Sequence, residues 1–347
     1  VIPREALVWA VLLEAVLVAL VLLAIGGDVL RGAVLSPRRS RRLAAARERL
    51  AMALADGADP ESVAAALRGL RRRESLSILA EYAPLLAGAD RTVLTHAAAA
   101  AGLTADAVRR VGSRRLGRRL EGARVLTVVG GGESVMPALL DDRSSRVRSQ
   151  ASAWAMDHPS DHVIARLVDH ATDLRPASRF SVQDALIRMG PAAVPALREA
   201  LDRAEGQDAE RLLAVCVALA DRAFGPAALR LLQDPSPAVR VLAAPLVART
   251  AADEGAEQLL ALLEDPSDAV RAAACEALGV AQHWPAGGAL RRALRDDAWE
   301  VRHAAAVALE RLGPPGTLLL KRALDDDALV ARDMARRMLE LPTGGLA

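Results

Sequence analysis

Asparagine is absent from this 347-residue chain, lysine occurs once (Lys321), cysteine twice (Cys216 and Cys275), and there are only four Trp, one Tyr and two Phe. With so few aromatics, and β-branched content that is mostly Val, a sandwich or barrel stabilised by aromatic and threonine pairs is excluded. Two cysteines build neither a disulfide framework nor a zinc site, and they suit a reducing compartment. The one glycine run, Gly130 to Gly132, has no Lys after it and no Gly-x-Gly-x-x-Gly register, so it reads as a turn and not a phosphate cradle. There is no Gly-x-Ser-x-Gly elbow and no Ser, His and acid set at a familiar spacing. What the chain does have is apolar bulk: 52% hydrophobic against 25% charged residues, too apolar for a disordered tail and expected to fold as all-α.

From Ala6 to Ile25 every residue but Glu14 is apolar. At about 1.5 Å per helical residue this stretch reaches about 30 Å, the hydrocarbon thickness of a bilayer, so residues 1–30 read as a transmembrane anchor with its span at 6–25. Arg31, Arg38, Arg39, Arg41 and Arg42 follow closely, and short flanks rich in Arg stay in the cytoplasm. The expectation is a single-pass protein, N-terminus outside, with the rest of the chain inside the cell. The dominance of Arg over Lys reads as GC-rich coding, which makes the membrane a bacterial inner membrane. A carboxylate near mid-span costs about 2.5–3.5 kcal/mol. Glu14 therefore either meets a partner across a helix interface, in a homodimer or another membrane protein, or is merely tolerated by a long apolar span.

Charge then changes along the chain. Residues 31–124 carry a net +10 and residues 125–347 a net −6. The basic third reads as a helical stalk whose juxtamembrane Arg residues meet anionic lipid headgroups. Nucleic acid is not expected as a partner, since Tyr82 is the sole aromatic among those Arg residues and single strands need stacking platforms.

The second half repeats. Arg148, Arg179, Arg211, Arg240, Arg271, Arg302 and Arg332 recur every 29 to 32 residues, and each has an acid six positions earlier: Asp142, Asp173, Glu205, Asp234, Asp265, Asp296 and Asp326. Each unit reads as two short helices joined by a turn such as Asp265-Pro266-Ser267, with Gly190, Gly225, Gly255, Gly287 or Gly313 breaking the chain before the next unit. A lone pair cannot bury its apolar stripe, so about seven pairs must stack over residues 125–347 into a solenoid. The Arg fork is expected to reach the carboxylate of its own or the adjacent repeat, forming a ladder that fixes the stacking. Arg119, with Ser113 in the acid position, marks a degenerate first repeat inside the stalk.

The pattern Asp265-Pro-Ser-Asp-Ala-Val-Arg271-Ala-Ala-Ala-Cys-Glu-Ala-Leu278, repeated from Asp234 and Asp296, resembles the short bacterial HEAT repeat, as in phycobilisome-lyase HEAT-like proteins. The resemblance implies an α-solenoid superhelix of armadillo type whose concave face binds a protein. With the span before it, it implies an accessory to a membrane enzyme such as an envelope glycosyltransferase. Departures fall at Ser178, Glu210 and Ala331, which replace the Val before the Arg.

No catalytic, cofactor-binding or metal site is expected. The deoxyhypusine hydroxylases that share the repeat bind iron through His-Glu pairs, and none of the six His here precedes Glu. His158, His162 and His170 are a weak metal candidate, because Pro159 separates the first two and the last two lie about 12 Å apart along a helix. The rival reading is a HEAT-like enzyme or ligand-binding protein, bilin-lyase-like or metal-dependent, using either those histidines or the region from Trp284 to Trp299.

Overall fold

The computed structural model describes residues 40–55, 59–86, 88–172 and 176–340, with backbone alone at 89 and 176–178. Among them there are helices and no strand. The chain divides into two compact units between Val135 and Met136. The charge change at 124 falls inside a helix, so the structural boundary comes later than the compositional one.

The first unit contains α1 (40–55), α2 (Pro60–Leu67), α3 (Arg72–Tyr82), α4 (Gly88–Ala100), α5 (Leu103–Val111) and α6 (Leu116–Val129). Asp59 caps α2 by accepting from Ser62 N at 3.0 Å, and Pro60 takes the first helical position, where no N–H is missed. Ala46, Leu50, Val63, Ile78 and Ala97 close one core across α1 to α4. No described helix is long and apolar enough to cross a membrane. The span 6–25, Glu14, Arg31, Arg38 and Arg39 lie outside the described residues. Of the Arg residues read as lipid contacts, Arg41 is exposed, whereas Arg42 donates from Nη2 to buried Glu74 at 2.6 Å. Arg42 is thus partly committed to the fold, because Glu74 has 3% of its side chain exposed and needs a cation.

The second unit runs α7 (Ser145–Ala155), α8 (Asp161–Ala171), α9 (Pro176–Met189), α10 (Val194–Arg203), α11 (Gly206–Leu219), α12 (Gly225–Leu231), α13 (Pro237–Thr250), α14 (Ala252–Ala261), α15 (Asp268–Val280), α16 (Gly287–Ala293), α17 (Trp299–Arg311), α18 (Pro314–Ala323) and α19 (Leu329–Glu340). Second helices of successive pairs, α11, α13, α15, α17 and α19, pack side by side, and each first helix packs on its own second helix. Small residues set the spacing: a Cβ on Gly279 of α15 would lie 2.7 Å from Ala308 Cα of α17. The last helix changes character on its outer side. Where α15 and α17 bury Cys275 and Ala306, α19 exposes Arg336, paired with Asp333 at 3.7 Å.

The glycines divide into two kinds that the sequence does not separate. Gly190 and Gly313, with φ of +57° and +71°, end second helices at positive φ, which a side chain resists. Gly225, Gly255 and Gly287 are not breakers: they start or lie within α12, α14 and α16. They are contact glycines, since a Cβ on Gly255 would strike Val247 and one on Gly287 would lie 2.7 Å from Leu319 Cδ1.

Candidate functional site

The polar framework of the second unit is built one turn at a time. Where a first helix ends, the Asp carboxylate folds forward to accept the N–H two residues on: Asp142 from Ser144 at 2.8 Å, Asp234 from Ser236 at 2.8 Å, Asp265 from Ser267 at 2.9 Å, Asp296 from Ala298 at 2.9 Å and Asp326 from Ala328 at 3.1 Å. The same Asp residues offer their backbone carbonyls to the Arg six positions later. Arg148, Arg240, Arg271, Arg302 and Arg332 each donate from Nη1 at 2.7–3.0 Å. Arg119 makes the same bond to Ser113 at 3.2 Å, so the hook survives without the acid.

The remaining guanidinium nitrogens reach forward into the next repeat. Arg240 grips Asp265 with Nε and Nη2, both at 2.9 Å, and Arg271 grips Asp296 at 2.8 and 2.9 Å. These forked bonds are charge-assisted and hold direction as well as distance. Burial pushes the Asp265 carboxyl up, but the Arg240 fork and the Ser267 N–H together outweigh it and hold it below the usual carboxylate range. Asp296 is held low first by the Arg271 fork, against burial.

The other members of the sequence-read ladder stand elsewhere. Asp173 lies outside the described residues, and Arg179 has a buried Nε with no hydrogen-bond partner among them. Glu205 is exposed before α11, and Arg211 donates to Thr172 O at 2.6 Å and to Asp208 at 3.3 Å instead of Asp234. Arg302 stays on the carbonyls of Asp296 and Asp297. Its place opposite Asp326 is taken by Arg295 at 2.9 Å, a residue that the six-residue spacing does not single out. Arg332, in the last described helix, hooks Asp326 O at 3.0 Å.

The histidines scatter. His158 stacks on buried Trp154 with centroids 4.3 Å apart and donates from Nδ1 to Trp154 O at 3.0 Å. His162 is exposed, and His170 reaches Asp141 at 2.8 Å, where Arg166 also pairs. No group of three potential metal-ligating side chains occurs among the described residues. Burial pushes both the Cys216 and Cys275 thiols up to about 12, which makes them packing groups and not nucleophiles. Trp284 is 73% exposed before α16, while Trp299 is 48% exposed at the start of α17, so the two flank a helix. A cavity of about 730 Å³ in the first unit is lined by Arg68, Arg72, Ser75 and Asp106, but Arg72 already donates to Asp106 at 2.9 Å.

Among curated proteins no relative matches. Among solved structures the chain is similar to an engineered protein, at 19% identity over 85% of this chain and 98% of that one, with a TM-score of 0.41. It is also similar to the complex of CpcE and CpcF of phycocyanin lyase from Nostoc sp. PCC7120, at 18% identity over 60% of this chain and 96% of that one, TM-score 0.37. A computationally designed armadillo repeat protein for modular peptide recognition matches at 22% identity over 59% of this chain and 98% of that one, TM-score 0.32. The family model for HEAT repeats matches residues 225–285 and 256–340. Residues 225–340, the stretch that holds both forked Arg–Asp rungs, are HEAT repeats.

Proposed function

We propose that this chain is a non-catalytic scaffold whose HEAT array grips a protein partner on the concave, second-helix face. The observation that carries the reading is the forked ladder from Arg240 to Asp296. Its polar groups are spent on holding repeats in register, which stiffens an extended row of second helices for a partner to lie along. In this reading residues 6–25 fix the array to a bacterial inner membrane from the cytoplasmic side, Arg31, Arg38, Arg39 and Arg41 face lipid headgroups, and Glu14 contacts a membrane partner or a second copy. Tethering raises the effective concentration of the partner at the membrane. An envelope glycosyltransferase is the partner class we favour.

The test is purification of the full chain in mild detergent from its native membrane, with crosslinking, mass spectrometry and elemental analysis. A stoichiometric protein partner is expected. Stoichiometric metal or bound pigment with no co-purifying protein would overturn the scaffold, and a C-terminal reporter on the far side of the bilayer would overturn the orientation.

A further inference from the structure

The second helices place equivalent residues side by side along one edge of the second unit. The first residue of α13, α15, α17 and α19 is Pro237, Asp268, Trp299 and Leu329 in turn. In the last two helices this edge is apolar and open: Trp299 is 48%, Leu329 61% and the adjoining Val330 42% exposed. Trp299 is also pre-oriented, stacked on His303 one turn later with centroids 4.9 Å apart and rings 5° from parallel.

The charges around it are one-sided. Asp268, Asp297 and Glu300 are exposed on the same edge, and none of them makes an ion pair among the described residues. Two of the neighbouring cations are paired with acids, Arg271 with Asp296 and Arg295 with Asp326 and Asp327, while Arg302 sits on two carbonyls and keeps its charge. The result is an apolar centre with a rim on which carboxylates outnumber cations. Such a rim repels phosphate backbones and anionic headgroups and attracts cationic side chains. Trp is a favoured anchor at protein contacts.

We infer that this edge docks a basic segment of a protein partner, one that carries Arg or Lys together with an apolar side chain to cover Trp299 and Leu329. The inference rests on the scaffold reading and names the chemistry of its partner. The test titrates the full chain, in nonionic detergent, with a short labelled peptide of alternating Arg and Leu, and with analogues carrying Glu for Arg or Ser for Leu. Saturable binding of the Arg-Leu peptide is expected, weakened about tenfold or more in W299A/L329S and in D297N/E300Q, and weakened by salt because exposed charges are screened. Full-strength binding to W299A/L329S with an unchanged thermal midpoint would overturn the inference. So would equal binding of the Glu analogue, or self-association of the chain that W299A/L329S abolishes, since the occupant would then be a second copy. A photocrosslinker placed in native membranes at 299 and, in turn, at Val241, a half-exposed residue of α13 in the row of second helices, separates the two readings. A protein captured from 241 and never from 299 sinks this inference alone, and none captured from either sinks the scaffold as well.

Discussion

The pair α10–α11 and the pair α12–α13 have the same acid-to-Arg spacing, Glu205 to Arg211 and Asp234 to Arg240, yet only the second makes a forked rung to the next repeat. The difference lies in register. Arg240 stands eleven residues before Ala251, which ends its helix, whereas Arg211 stands nine before Ala220. Buried positions shift with the helix end: Leu212, Leu213, Val215 and Cys216 of α11 correspond to Ala243, Ala244, Leu246 and Val247 of α13. Ala209 therefore occupies the place of Arg240, and Arg211 falls on another face. A rung needs an Arg at a fixed angle to the buried stripe, and the distance to an acid along the sequence does not supply it.

The sharpest way to break the regular region is through its closest approach. Gly279→Val puts a branched side chain where a Cβ already meets Ala308 Cα at 2.7 Å and Ala308 Cβ at 2.9 Å. We expect a loss of about 3 kcal/mol, at the upper end for overpacking, because the obstacle is partly backbone. The matching residue of α11 is Val217, half-exposed and already branched, and Val217→Ala is expected to cost less than about 1 kcal/mol. Thermal unfolding of both variants decides whether the two regions pack as differently as they look.

The rungs give the next effect. Arg271→Met keeps most of the stem and leaves Asp296, 14% exposed, without its fork. A cost of about 2–3 kcal/mol is expected for a mostly buried carboxylate that loses a charged partner, against about 1 kcal/mol for Arg211→Met. The pH dependence has a definite sign. Asp265 and Asp296 are held below the usual carboxylate range when folded, so they contribute stability that is complete above about pH 4 and is lost as pH falls through their lower folded values. Removing Arg271 lets burial push Asp296 upward, and acid unfolding should begin at higher pH. An acid limb that Arg271→Met leaves unmoved would mean that the rung holds no stability.

These contrasts also mark how far the residues alone could be read. The thirty-residue period, the Asp turns and the helical pairs were legible because each depends on neighbours in sequence: Asp265, Ser267 and Arg271 lie within one turn and the start of one helix. The carboxylate that each Arg grips was not, because Arg240 and Asp265 meet only when two repeats stack. Spacing alone put Glu205 and Arg211 into the ladder and left out Arg295. Trp154 and Trp299 look alike in composition, but Trp154 is 2% exposed against 48% for Trp299, a difference set by the face of the helix each occupies. Gly255 and Gly313 also looked alike, since a contact glycine and a turn glycine share the same missing Cβ.

That last ambiguity yields the smallest effect and a stabilising one. The residues that end successive second helices include Gly190 and Gly313 at φ +57° and +71°, and also Ala220 and Gln282, both at φ +49°. Ala220 N–H still closes on Cys216 O at 2.8 Å, so the left-handed turn is made despite the side chain. A Cβ in this region costs about 1–2 kcal/mol, part of which is returned because glycine loses more freedom on folding. Ala220→Gly and Gln282→Gly should each gain about 0.5–1 kcal/mol, and Gly190→Ala should lose a similar amount although a Cβ there would meet nothing within 4 Å. If calorimetry found Gly190→Ala neutral, the left-handed turn would not be what ends these helices, and the distinction between turn and contact glycines would fail at its simplest position.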